Sequence, residues 1–120
     1  MKIVVSTTGK SSEDMLDKRF GRSEYFYIYD TETEQAVVLE NEGAKAGGGA
    51  GIAAANQVIE EGVQVIITGN LGPNAFELVE KAGMKAYSCG VMPVDSAIEL
   101  FQKGELSEIN LPGMAHHGNH

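Results

Sequence analysis

Val63-Gln64-Val65-Ile66-Ile67-Thr68 runs directly into Gly69-Asn70-Leu71-Gly72-Pro73-Asn74-Ala75. The first six residues are β-branched and almost continuously apolar, the pattern of a strand covered on both faces. The next seven read as a glycine-bearing turn into a helix, with Asn74 expected as its cap. A strand of that kind, followed by that kind of turn, belongs inside an α/β sheet.

Outward from it, four more strands are expected: residues 2–8, Tyr25 to Asp30, Ala36 to Glu40, and Lys85 to Cys89. A polar hairpin, residues 31–35, joins the second and third. Three helices show a 3.6-residue period, carried by Ile52, Ala55 and Ile59, by Ala75, Leu78, Val79 and Ala82, and by Val94, Ala97, Ile98 and Phe101. Gly62, Gly83 and Gly104 stand where these helices should stop, and Asp95 falls in the first turn of the third. The hairpin makes the second strand antiparallel. Strands one, three, four and five then point one way, with right-handed crossovers. Every glycine-rich loop consequently falls beyond the carboxyl ends of the parallel strands, where open α/β sheets bind ligands.

The 120 residues suit one domain, expected over residues 1–108, with a His-containing tail over 109–120. No apolar run approaches a membrane span, and the start reads as a strand rather than a signal peptide, so a cytoplasmic protein with no membrane partner is expected. A net charge of −8 disfavours nucleic acid as a partner. The single cysteine, Cys89, excludes an internal disulfide and any Cys₂, Cys₄ or iron–sulfur site held by this chain's thiolates alone.

Three segments can meet an anion at the glycine-rich end. Gly47-Gly48-Gly49-Ala50-Gly51 opens a helix, so backbone N–H groups and the helix dipole face outward there. It fits neither a Walker A loop nor Gly-x-Gly-x-x-Gly, and anion contact is weighed against a plain flexible passage. Gly69, Asn70, Gly72 and Asn74 form the second segment. In the third, residues 17–22, Arg19 ahead of Arg22 can grip a multi-oxygen group. Phe20 is expected to cover the core edge. Cys89 lies at the same end, as a buried thiol or a metal ligand. The tail carries His116, His117 and His120, which with Met114 can bind a divalent metal. The third helix is expected to run away from the ligand end, so the tail would have to double back or serve a neighbour. No Gly-x-Ser-x-Gly context surrounds Ser6, Thr7 or Thr8, which argues against a serine hydrolase.

Asp17-Lys18-Arg19-Phe20-Gly21-Arg22, the aromatic strand ending at Asp30, Gly47-Gly48-Gly49 before a helix, and Ile66-Ile67-Thr68-Gly69-Asn70-Leu71-Gly72-Pro73-Asn74-Ala75 resemble, in order and spacing, the dinitrogenase iron–molybdenum cofactor biosynthesis family. This is the domain of NifX-type carriers and of the C-terminus of NifB-type proteins, and the resemblance covers residues 1–106. It implies a ribonuclease H-like α/β fold: a five-stranded mixed sheet of order 3-2-1-4-5, strand two antiparallel, with about three helices. It also implies a non-enzymatic carrier of an iron–sulfur or molybdenum-containing cluster or its precursor, passed between donor and acceptor proteins. The matching positions are Arg19, Phe20, Gly21, Gly47, Gly49, Gly69, Asn70, Gly72 and Asn74. Arginine cannot ligate a metal, so a contact from Arg19 would be outer-sphere. Two rivals stand beside this reading. One is a regulatory domain binding a nucleotide or other small molecule with the same turns. The other is a nuclease-like enzyme, disfavoured because the first strand lacks Asp and Glu.

Overall fold

The computed structural model describes residues 1–113. Strands β1 (Lys2–Thr7), β2 (Tyr25–Asp30) and β3 (Gln35–Glu40) come first. Helix α1 (Ala50–Glu60), strand β4 (Val65–Thr68), helix α2 (Pro73–Lys81), strand β5 (Lys85–Ser88) and helix α3 (Val94–Gln102) follow, then strand β6 (Ser107–Glu108). A 3₁₀ turn, Glu42–Lys45, sits between β3 and α1.

The sheet order is β3-β2-β1-β4-β5-β6. The first five strands take the expected order. β1, β4 and β5 are mutually parallel, and β2 is antiparallel to both neighbours. The expectation of five strands is corrected to six, because Ser107–Glu108 pairs antiparallel with Ser88–Tyr87. A two-residue polar strand carries no period of its own; its pairing is decided by the open edge of β5.

Alternation along the inner strands builds two cores. Val4, Phe26, Ile28, Ile66 and Ala86 face α1 and α2, meeting Ala54, Val58 and Val79. Ile3, Val5, Val65 and Ile67 face α3, meeting Val94, Ala97 and Ile98. All four residues of β4 are buried, as its apolar run requires. Gly62, Gly83 and Gly104 follow their helices with φ of 76°, 76° and 74°, the left-handed stop that a Cβ would strain. Asn74 is not a cap: Gly72 holds that position and Pro73 opens the helix, putting Asn74 inside the first turn. Proline's fixed φ and missing N–H suit it to the opening position and move the start back by two residues. Among the described residues, no helix is long and apolar enough to cross a membrane.

Candidate anion-binding cleft

Thr7 pairs with Tyr25, and Tyr25 with Glu40, so the carboxyl ends of β1 and β3 and the start of β2 share one end of the sheet. β4 and β5 end there too. The chain between β1 and β2 folds across this end. Leu16 bridges to Thr7, and Arg19 pairs in parallel with Asn70, so residues 15–19 lie over the tips of β1 and β4.

Hidden hydroxyls fasten that crossing. The Ser6 hydroxyl donates to the Asp17 carbonyl at 2.6 Å and lies 2.7 Å from Thr68 Oγ1. Ser6 has one proton, already given to the carbonyl, so Thr68 is the donor in the second bond. Asn41, fully buried, fastens the other side. Its Nδ2 donates to Phe20 O at 3.0 Å and to Ser23 Oγ at 3.1 Å, while its Oδ1 accepts from Gly43 N at 2.8 Å. Phe20 is buried against Phe26, ring centroids 5.2 Å apart, and roots the turn in the core.

These constraints leave an open cleft of about 760 Å³. Its walls are the 18–22 turn, the start of α1 at Ala50 and Gly51, and the β4–α2 turn with Gly69, Asn70 and Gly72. A second recess, bordered by Arg22, Gly49 and Asn74, continues between the openings of α1 and α2. Neither helix opening has a side-chain cap hydrogen bond, so their first N–H groups stay available to a ligand. Lys18, Arg19 and Arg22 line the cleft, and no carboxylate does. In a chain of net charge −8 this is a local reversal of sign.

Arg19 is itself oriented. Its Nη2 and Nε donate to the two Asp17 oxygens at 2.9 and 3.1 Å, and its backbone N–H donates to the same carboxylate at 2.9 Å. The hydrogen bonds from Arg19 hold the Asp17 carboxyl below its ordinary range despite burial, and Asp17 in turn raises Arg19. The Arg19 side chain remains 69% exposed, so its outer N–H groups can still reach a ligand. Arg22 and Lys18 form no ion pair with any described residue.

Of the residues singled out from the sequence, Arg19, Phe20, Gly21, Gly69, Asn70 and Gly72 meet in the cleft, and Gly49 and Asn74 border the adjoining recess. Gly47 and Gly48 are exposed and line neither. Cys89 is buried with Ile67 and Val94 on the α3 face and is not among the residues that line the cleft. Burial pushes its thiol up, disfavouring the thiolate that binds metal. His116, His117 and His120 lie outside the described residues. Lys18 lines the cleft as well, though the sequence alone points to Arg19 first and Arg22 second. The signal for Lys18 and Arg22 was present: three cations within five residues of an acidic chain. Among the described residues no group of three His, Cys, Asp or Glu side chains could hold a metal ion.

A family model described as dinitrogenase iron-molybdenum cofactor matches residues 1–104. The chain belongs to the dinitrogenase iron-molybdenum cofactor family. Solved structures of similar sequence superpose closely on it. The apo form of the orange protein from Desulfovibrio gigas superposes with a TM-score of 0.88 at 31% identity, covering 94% of this chain and 96% of that one. A Thermotoga protein provisionally described as a NifB protein gives 0.83 at 35% identity, covering 96% and 98%. An uncharacterised protein of Methanocaldococcus jannaschii is 30% identical over 96 residues, 78% of this chain and 81% of that one.

Proposed function

We propose that the cleft carries an anionic metal–sulfur cluster, an oxometalate or a precursor of the iron–molybdenum type, and hands it between donor and acceptor proteins without transforming it. The observation that carries this reading is the lining: Lys18, Arg19 and Arg22 beside two uncapped helix openings, with no carboxylate among the lining residues. Such a surface suits a multiply charged anion. Guanidinium forks and backbone N–H groups donate to sulfido or oxo ligands that the cargo brings with it. The described residues offer no thiolate or imidazole to the cleft, so the cargo would be held from outside its coordination sphere.

The family description names an iron–molybdenum cofactor, and the orange protein is described in an apo form, which implies a separable ligand. Within a ribonuclease H-like reading of the sheet, nuclease chemistry would need a carboxylate on the first strand. Lys2–Thr7 supplies none.

The test is anaerobic loading with iron, sulfide and molybdate or tungstate, then desalting, visible absorption and metal analysis. A coloured species at one equivalent is expected. Arg19→Ala and Arg22→Ala should each weaken retention roughly tenfold, the scale of one charge-assisted contact, and Cys89→Ser should leave it unchanged. If preassembled clusters are not retained while nucleotides bind, the cleft belongs to a nucleotide-responsive regulatory domain instead.

A further inference from the structure

The two faces of the sheet are covered unequally. On one, α1 and α2 share the packing. Beyond β5 the returning chain closes that border: Ile109 donates to Ala86 O at 2.8 Å, and Gly113, back at the ligand end, donates to Leu71 O at 2.5 Å. On the other face α3 packs on Ile3, Val5, Val65 and Ile67, and no helix among the described residues covers β2 and β3. Strand register fixes what is left open there. Tyr25, Tyr27 and Tyr29 pair with Thr7, Val5 and Ile3, so their side chains stand in a row on the α3 face. All three are half-buried. Val38 opposite Tyr27 is half-buried, and Ala36 opposite Tyr29 is exposed.

Between this row and α3 runs a groove of about 310 Å³. Its lining includes Tyr27, Tyr29, Ile98 and, one helical turn apart, Asp95 and Glu99; it includes no cation. Asp95 forms no ion pair with any described residue. Glu99 is met only by Lys103, at 3.4 Å, with both side chains exposed. The first ring of the row shows what such a surface accepts. Lys10 Nζ stands 5.4 Å from the centroid of Tyr25, a cation–aromatic contact made within the chain. Among the described residues no cation stands over Tyr27 or Tyr29, although two carboxylates face them across the groove.

Rings and carboxylates together select a planar cation. A guanidinium stacks on an aromatic ring while its fork reaches a carboxylate, and it sheds water more readily than an ammonium. The chain's own arginines do not supply it: there are two, Arg19 and Arg22, and both line the cleft. Two copies meeting groove to groove would set like charges against each other. Half-buried tyrosines on an uncovered face are the anchors that protein interfaces use.

We propose that the groove between α3 and the β2–β3 face docks an arginine-bearing segment of a partner protein, its guanidinium held by Tyr27, Tyr29, Asp95 and Glu99. Tyr25 ends the row at the ligand end, three residues after Arg22, so a partner seated along the row stands beside the cleft turn. That this partner gives or takes cargo rests on the carrier reading above. The docking does not, and it is tested without cargo.

The probe is the peptide acetyl-Val-Arg-Val-Arg-Val-amide, titrated to roughly 5 mM into the ¹⁵N-labelled full chain, beside its lysine and glutamate counterparts. Amide shifts should centre on residues 27–29 and 95–99. The arginine peptide should bind roughly threefold tighter than the lysine one, and the glutamate one not at all. D95N/E99Q should keep the fingerprint of the fold and bind roughly tenfold more weakly. Tyr29→Ser should weaken binding several-fold, while E77Q/E80Q, which removes the same charge from α2, should not change it. Absence of shifts at the groove would overturn the inference. So would equal binding of the arginine and lysine peptides, or an equal loss in E77Q/E80Q, which would mean general attraction to an acidic chain. A dimer in sedimentation that D95N/E99Q dissolves would give the groove to a second copy and overturn it too. Peptide docking with failed cluster loading would reject the cargo and keep the docking surface.

Discussion

Arg19 is held by Asp17 and still exposed, so one side chain is both fixed and available. Removing its anchor separates the two roles. Asp17→Asn should destabilise the fold by roughly 1 kcal/mol at pH 7, a modest figure because the arginine end of the pair is in water. Asp17 is depressed when folded, so its contribution is complete above the ordinary aspartate value of 3.8 and is lost as pH falls through the lower folded value. Urea titrations should show the gap between wild type and Asp17→Asn closing as pH drops below about 4; a gap unchanged at pH 2.5 would mean that the charge plays no part. Asn41 deserves the larger penalty. Asn41→Ala strips partners from Phe20 O, Ser23 Oγ and Gly43 N at once, and should cost roughly 2–3 kcal/mol in urea unfolding. Arg19 was legible in the sequence because a guanidinium in a glycine-bearing loop has few other uses. Asn41 and Ser6 were not legible, because their partners include residues 21, 18 and 62 positions away.

Among the elements, the glycine-rich segments divide by what surrounds them. A Cβ at Gly21 would stand 2.9 Å from Gly51 N and 3.1 Å from Gly51 Cα, both backbone. The 18–22 turn and the opening of α1 therefore meet backbone to backbone. Gly47 and Gly48 face open space and have no left-handed φ. Gly21→Ala should lower stability by about 1–3 kcal/mol, whereas Gly47→Ala and Gly48→Ala should change it by less than about 1 kcal/mol. Thermal melts of the three variants check this, and equal losses would remove the distinction. The sequence showed where glycine accumulates but not which glycine is crowded, since crowding at Gly21 depends on a helix thirty residues away. Strands β1 to β5 were legible from their apolar runs or alternation. β6 was not, because an unfilled sheet edge rather than its own residues creates it.

For the whole molecule, net charge and local charge oppose each other. A chain of −8 repels an anion at long range, while three cations and two helix openings attract it at contact. With Lys18, Arg19 and Arg22 exposed, cargo affinity should fall several-fold between about 0.05 and 0.5 M salt. Equilibrium dialysis of molybdate-derived species across that range checks it, and salt-independent binding would point to enclosure rather than charge. The ends of the described chain are also set apart. The Met1 amino group lies 3.4 Å from Glu32, by the hairpin at the closed end, whereas Gly113 lies on Asn70 at the open one. A tag, surface tether or fused domain attached before Met1 would thus hang from the back of the molecule and leave the cleft clear for exchange. The same addition after Gly113 would stand in its doorway.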